Sequence, residues 1–309
     1  MNKIVSGFGM IMLLSVLPMQ SQEKANNIET NGHFSYNTDS LLYHVQTLSS
    51  DAYEGRETGT KGAEKAKDYI INEFKAFNVK PLLDNYIEPF SFTEQGKSYN
   101  GINVLGYIKG TEYPDKYIVV SAHYDHEGIK HGKIYNGADD NASGVGALLT
   151  FASFLHYHPP HYSVILAAFD AEELGLTGSK FFVENSVVPL EQIKMNLNMD
   201  MISRNDKNQL YVVGTLFNDE LKSIISNYSS KNITLVMGHD GKDGLQNWTY
   251  SGDHQPFFLK KIPFLYFGVE DHTDYHQPTD DFENINPEFY KSAVETIIDI
   301  FSLIDKLKL

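Results

Sequence analysis

Acids and histidines in this chain gather at the ends of apolar runs. Tyr117–Ala122 ends in His123-Tyr124-Asp125, and Ser163–Phe169 ends in Asp170-Ala171-Glu172-Glu173. Met195–Met199 ends in Asp200, and Pro263–Phe267 is followed by Asp274-Tyr275-His276. Between the first two runs lies Gly137-Ala138-Asp139-Asp140-Asn141-Ala142-Ser143-Gly144. Imidazole and carboxylate without thiolate form a donor set suited to zinc and, to a lesser degree, manganese or cobalt. The chain has no cysteine, which excludes disulfides, thiolate catalysis and cysteine-ligated metal clusters. Any metal must therefore rest on the 12 histidines and 40 acidic residues. Taken singly, each piece has a plainer reading: a surface pair at His123 and Asp125, a helix cap at Asp139 to Ser143, a solvated loop at Glu172-Glu173. Their placement at the ends of four separate runs points to one shared rim.

The elements that must position these residues follow from periodicity. The runs Ile102–Ile108, Tyr117–Ala122, Ser163–Phe169, Met195–Met199 and Pro263–Phe267 read as buried strands. Helical spacing predicts helices over Ser143–Tyr157, Thr177–Asn185, Asn218–Ser229 and Pro287–Leu307. Two more are expected near the N-terminus, one carrying Leu41, Val45 and Leu48, the next Ala63, Ala66, Ile70 and Phe74. Strand–helix alternation predicts a three-layer α/β/α domain with a mostly parallel central sheet. In open α/β sheets, ligands bind beyond the carboxyl ends of the strands, where the acids and histidines fall. No repeat and no linker-like shift in composition divides residues 37–309, which are expected to form one domain.

The 309 residues are 41% hydrophobic, enough for a large core, and carry a formal net charge of −15. Such a chain repels phosphate backbones, so nucleic-acid binding is not expected. Residues 1–21 begin with Lys3 and then carry no charge from Ile4 to Leu17. That stretch is short of the about 20 residues a spanning helix needs, and it suits a secretory signal peptide. The expectation is an exported protein, periplasmic or secreted, with no stable membrane anchor after signal removal. A polar N-terminal segment follows over residues 22–36. An exported domain of this size can hold itself together without disulfides.

The motifs together resemble the co-catalytic dizinc aminopeptidases of the aminopeptidase Y and bacterial leucyl aminopeptidase type, whose superfamily also holds glutamate carboxypeptidases and glutaminyl cyclases. The resemblance runs from Asp39 to the C-terminus. It rests on Glu54-Gly55-Arg56, Asn103-Val104-Leu105-Gly106, Ala122-His123-Tyr124-Asp125, the turn Gly137 to Gly144, Ala171-Glu172-Glu173-Leu174-Gly175, Asn198-Met199-Asp200-Met201 and Tyr275-His276-Gln277-Pro278-Thr279-Asp280.

What it implies is a zinc-exopeptidase fold with two zinc ions per subunit, replaceable by manganese or cobalt. His123 and Asp200 would hold the first ion, Glu173 and His276 the second, and Asp139 would bridge them. A cis peptide would join Asp139 to Asp140. Glu172 would be the general base and Asp125 would orient His123 from behind. Tyr250, just before Ser251-Gly252-Asp253-His254, is the candidate oxyanion donor. The implied reaction is release of N-terminal residues from peptides with a free N-terminus, by a water activated between the two zincs. Rival readings are a glutaminyl-peptide cyclase using one zinc, a carboxypeptidase, and a non-catalytic binding protein that retains the fold.

Overall fold

The run Tyr162–Phe169 forms a strand buried at every position, which requires cover on both faces of a sheet. The structure, a computed structural model, describes residues 38–309 and the backbone of a strand pair, β1 (Glu29–Thr30) and β2 (Ser35–Tyr36). The proposed signal peptide and most of the polar segment after it lie outside the described residues.

Helices α1 (Thr38–Leu48) and α2 (Lys61–Ala76) precede β3 (Lys80–Pro81) and the hairpin of β4 (Ile87–Glu94) and β5 (Lys97–Ile108). Next come β6 (Tyr113–His123), a small hairpin of β7 (Gly128–Lys130) and β8 (Lys133–Tyr135), and helix α3 (Gly144–Tyr157). Strand β9 (Tyr162–Phe169), helix α4 (Thr177–Glu184) and β10 (Ile193–Met199) follow. The last part holds β11 (Gln209–Val213), α5 (Asp219–Asn227), β12 (Thr234–Met237), α6 (Gln255–Leu259), β13 (Phe264–Gly268) and α7 (Pro287–Ile304).

The main sheet has the order β12-β11-β13-β10-β6-β9-β5-β3, with β4 also on β5. Its centre, β13-β10-β6-β9, is parallel throughout. Antiparallel joins occur at the flanks, β5 on β9 and β11 on β13. Side-chain alternation sorts the core into two layers. Ile118, Val120 and Ala122 pack with residues of α1, α2, α3 and α7, while Val119, Ile165 and Ala167 pack with Phe182 of α4 and Phe257 of α6. Burying each such large apolar side chain contributes about 1.5–3 kcal/mol, so both faces are firmly covered. Helix α3 is buried nearly all round because it lies between the sheet and α1. The four central strands point the same way, so their carboxyl ends open onto one rim.

Candidate metal centre

His123 closes β6, Asp200 follows β10, and Glu172-Glu173 follow β9 after a turn at Ala171, whose φ is +59°. His123 Nε2 lies 3.3 Å from Asp200 Oδ1 and 3.4 Å from Asp140 Oδ1. His276 Nε2 lies 3.1 Å from Asp140 Oδ2 and 3.1 Å from Glu173 Oε2. Asp140 thus turns one oxygen to each histidine. A carboxylate oxygen of Glu172 lies within 4.8 Å of donor atoms of His123 and Asp200.

Buried polar contacts set this arrangement. The Arg56 guanidinium is enclosed and donates to the carbonyls of Leu48, Tyr124, Asn136 and Gly137 at 2.6–2.9 Å. It ties the loop after β6 to the loop that carries Asp139 and Asp140. Asp280 accepts the amides of Asp139 (2.9 Å) and Asp140 (3.0 Å). Asn141 accepts from Gly144 and Met201 and donates to the Met199 carbonyl, stapling the acidic turn to the end of β10. The loop after β13, which carries His276, is held by an ion pair between Arg204 and Asp274.

Three expectations are corrected, and a fourth, for Asp125, is narrowed. Asp139 is not the residue between the histidines. Its Oδ1 accepts from the Ser203 amide and hydroxyl, both at 2.7 Å, and its Oδ2 from His272 Nε2 at 3.0 Å. Asp140 takes the central place, since the Asp139 carboxylate is committed to Ser203 and His272. The cis peptide likewise lies one residue on, between Asp140 and Asn141. Asp125 supports His123 chiefly through its main-chain oxygen, 3.1 Å from Nδ1, with its nearest carboxylate oxygen at 3.7 Å. Its carboxylate instead accepts the amides of Glu172 (3.1 Å) and Glu173 (3.3 Å). Tyr250 is half exposed, with its ring edge-on to Phe258 at 5.7 Å. The tyrosines that feel the cluster are Tyr266 and Tyr275, both raised in pKa by burial and then by carboxylates that include Asp140 and Asp200.

Electrostatics divide the two adjacent glutamates. Burial raises Glu172 well above the usual carboxylate range, with His123 opposing and Asp200, Glu173 and Asp253 adding to it. Burial and Asp140 push Glu173 up too, but the close contacts with His126 and His276 overcome them and hold it at about 2. Burial lowers His276, and contacts with Asp140 and Glu173 outweigh that to hold it at about 10. Burial raises Asp140, and His126, His123 and His276 bring it well below its ordinary value.

This donor set fits zinc. His276 Nε2 stands 3.1 Å from two carboxylates yet is hydrogen-bonded to neither. Two donors at ~2.0–2.1 Å from a tetrahedral zinc lie about 3.3 Å apart, close to the spacings of 3.1–3.4 Å found here. With Nδ1–H on the Asp125 carbonyl, His123 presents Nε2 as a ligand would.

Two nearby residues escaped the sequence reading. His126 Nδ1 lies 2.8 Å from Glu173 Oε1, and Glu127 Oε1 lies 3.6 Å from His276 Nδ1. The available signal was a third donor three residues after His123, on the same loop.

An open α/β sheet bearing clustered carboxylates and imidazoles beyond its parallel strands defines a candidate metal site. The chain matches the model of peptidase family M28 over residues 103–301, well over half its length, and it belongs to that family. It is 29% identical to aminopeptidase YwaD of Bacillus subtilis, over 94% of this chain and 61% of the relative. The chain therefore spans about three fifths of that protein. Among solved structures, a leucine aminopeptidase precursor from Bacteroides thetaiotaomicron shares the fold with a TM-score of 0.69 and 20% identity, covering 88% of this chain and 98% of its own. Porphyromonas gingivalis glutaminyl cyclase matches equally in shape, with a TM-score of 0.69 and 17% identity over 87% of this chain and 99% of its own.

Proposed function

We propose that this chain is a zinc-dependent aminopeptidase that binds two zinc ions and removes N-terminal residues from peptides. His123, Asp200 and one oxygen of Asp140 would hold the first ion. Glu173, His276 and the other oxygen of Asp140 would hold the second. The observation that carries this reading is Asp140, with Oδ1 at 3.4 Å from His123 and Oδ2 at 3.1 Å from His276. When bound, zinc supplies Lewis acidity toward the scissile carbonyl and the attacking water.

The chain's own residues do the rest. Glu172 accepts the proton of the attacking water and delivers it to the leaving amine. Its burial, which raises its proton affinity, suits a group that must hold a proton between those two steps. The acidic rim of Asp140, Glu172, Glu173 and Asp200 attracts a free α-ammonium and fixes the first residue over the reacting centre. The uncharged stretch after Lys3 supports export to the periplasm or beyond.

The test is a pair of matched peptides, one unblocked and one N-acetylated, assayed with and without a chelator. The unblocked peptide should be cleaved rapidly and the acetylated one very slowly, with chelator abolishing both. Comparable kcat/KM for the two peptides excludes an aminopeptidase. A zinc content of one per chain favours the glutaminyl-cyclase branch.

A further inference from the structure

His126 has no part in the chemistry proposed above, yet it sits at the centre of the cluster. Its side chain is fully enclosed, with Nδ1 2.8 Å from Glu173 Oε1 and 3.8 Å from Asp140 Oδ2. The ring lies against the backbone of the acidic turn. A Cβ at Gly137, whose φ is +57°, would meet its Cδ2 at 2.5 Å and its Cγ at 2.6 Å. The His126 and His276 rings meet edge to face with centroids 5.8 Å apart. Nε2 is buried and without a hydrogen-bond partner among the described residues.

An ionised carboxylate only accepts hydrogen bonds, so the 2.8 Å contact puts the proton of His126 on Nδ1. Glu173 then has Oε1 committed to His126 and Oε2 facing His276 at 3.1 Å. We propose that His126 is a positioning residue: by donating Nδ1–H to Glu173 Oε1 it fixes Glu173 Oε2 as the atom offered to the metal shared with His276. This rests on the reading that Glu173 and His276 hold a metal.

Direct ligation by His126 is the competing role, and two observations weigh against it. The 2.8 Å separation from Glu173 is shorter than the about 3.3 Å edge of a tetrahedral zinc site. A ligating histidine almost always donates its other ring N–H to a partner, and Nε2 has none.

Two substitutions separate the roles. His126→Asn places a side-chain amide N–H near the position of the lost Nδ1–H; His126→Phe keeps the ring volume and removes the donor. Metal-free protein is titrated with zinc against a chromophoric chelator, and the chelated proteins are melted in parallel. The expected result is two zincs for all three proteins. The weaker zinc site of His126→Phe should lose about 10–100-fold in affinity, the usual effect of losing a ligand's hydrogen-bond partner. His126→Asn should stay close to the parent, and the melting of the chelated proteins should be unchanged. Loss of a whole zinc equivalent in both variants would make His126 a ligand and overturn the proposal. Equal affinities in all three proteins, or equal weakening in both variants, would also overturn it. A parent protein that binds no zinc would instead sink the two-metal reading itself.

Discussion

The carboxylates of Asp139 and Asp140, neighbours in sequence, are committed to different partners. Asp139 is closed off by Ser203 and His272, while Asp140 stands between His123 and His276. Asp140→Asn is therefore expected to lose at least one zinc equivalent, because the carboxylate charge facing both histidines is gone. Asp139→Asn keeps an acceptor for Ser203 and should still bind two zincs, because its carboxylate faces Ser203 and His272 rather than the proposed ligands. Zinc content of the two purified variants decides the matter. The reverse ranking would return the bridging role to Asp139.

Glu172 and Glu173 should fail in different ways. Glu172→Gln is expected to retain zinc and lose roughly 10²–10⁴ in rate, the usual worth of a general base. Glu173→Ala should lose zinc first and activity as a consequence, with partial recovery at high zinc. Metal analysis beside kcat for each variant separates these outcomes. Near-full turnover in Glu172→Gln would remove it from the reaction.

Arg56 takes no part in the proposed chemistry, yet the site depends on it. Its guanidinium donates to four buried carbonyls from three separate stretches of chain. Burial lowers its pKa to about 10, with Asp140, Asp280, Asp125 and Glu173 opposing the drop, so it remains charged near neutrality. Leaving buried carbonyls unmatched costs ~1–3 kcal/mol each, so Arg56→Ala should lose at least about 3 kcal/mol of stability. Arg56→Lys should rescue little, since an ammonium cannot reproduce the planar fork. Urea unfolding of the chelated proteins measures both, and parent-like stability in Arg56→Lys would refute the account.

The candidate metal site was legible from sequence because strand ends in a parallel sheet converge, so residues far apart in the chain share one rim. His123, Glu172, Glu173, Asp200 and His276 all stand where that rule puts them. The choice between Asp139 and Asp140 was not legible, since it depends on the local path of a turn fixed by Asp280, Asn141 and Arg56. Tyr250 failed for a related reason: in the stretch between β12 and α6 it ends half exposed against Phe258, and no spacing rule predicts that path. The central strands were visible as continuous apolar runs, the mark of burial on both faces. Strand β4 was not, because its inward positions include Glu88 and its neighbour Pro89 interrupts the pattern.

Glu88 also gives a pH signature distinct from the metal centre. It is 4% exposed, pairs across β4 and β5 with Asn103, and accepts from Asn103 Nδ2 at 2.7 Å. Burial pushes its pKa up from 4.5 to about 7, against the Asn103 hydrogen bond. The native state therefore keeps a proton between about pH 4.5 and 7 that the unfolded chain releases. Stability must fall as pH rises through that window, with no penalty below it and the full penalty above. At ~1.4 kcal/mol per unit, the loss is at most about 3.5 kcal/mol. Glu88→Gln still accepts from Asn103 but does not titrate. In urea unfolding with chelator present, the variant should gain on the parent by up to that amount between about pH 5 and pH 8. Other buried acids contribute equally to both proteins and cancel in the difference. A difference that stays constant across that range would mean Glu88 is ionised throughout, and that its burial is offset by contacts other than Asn103.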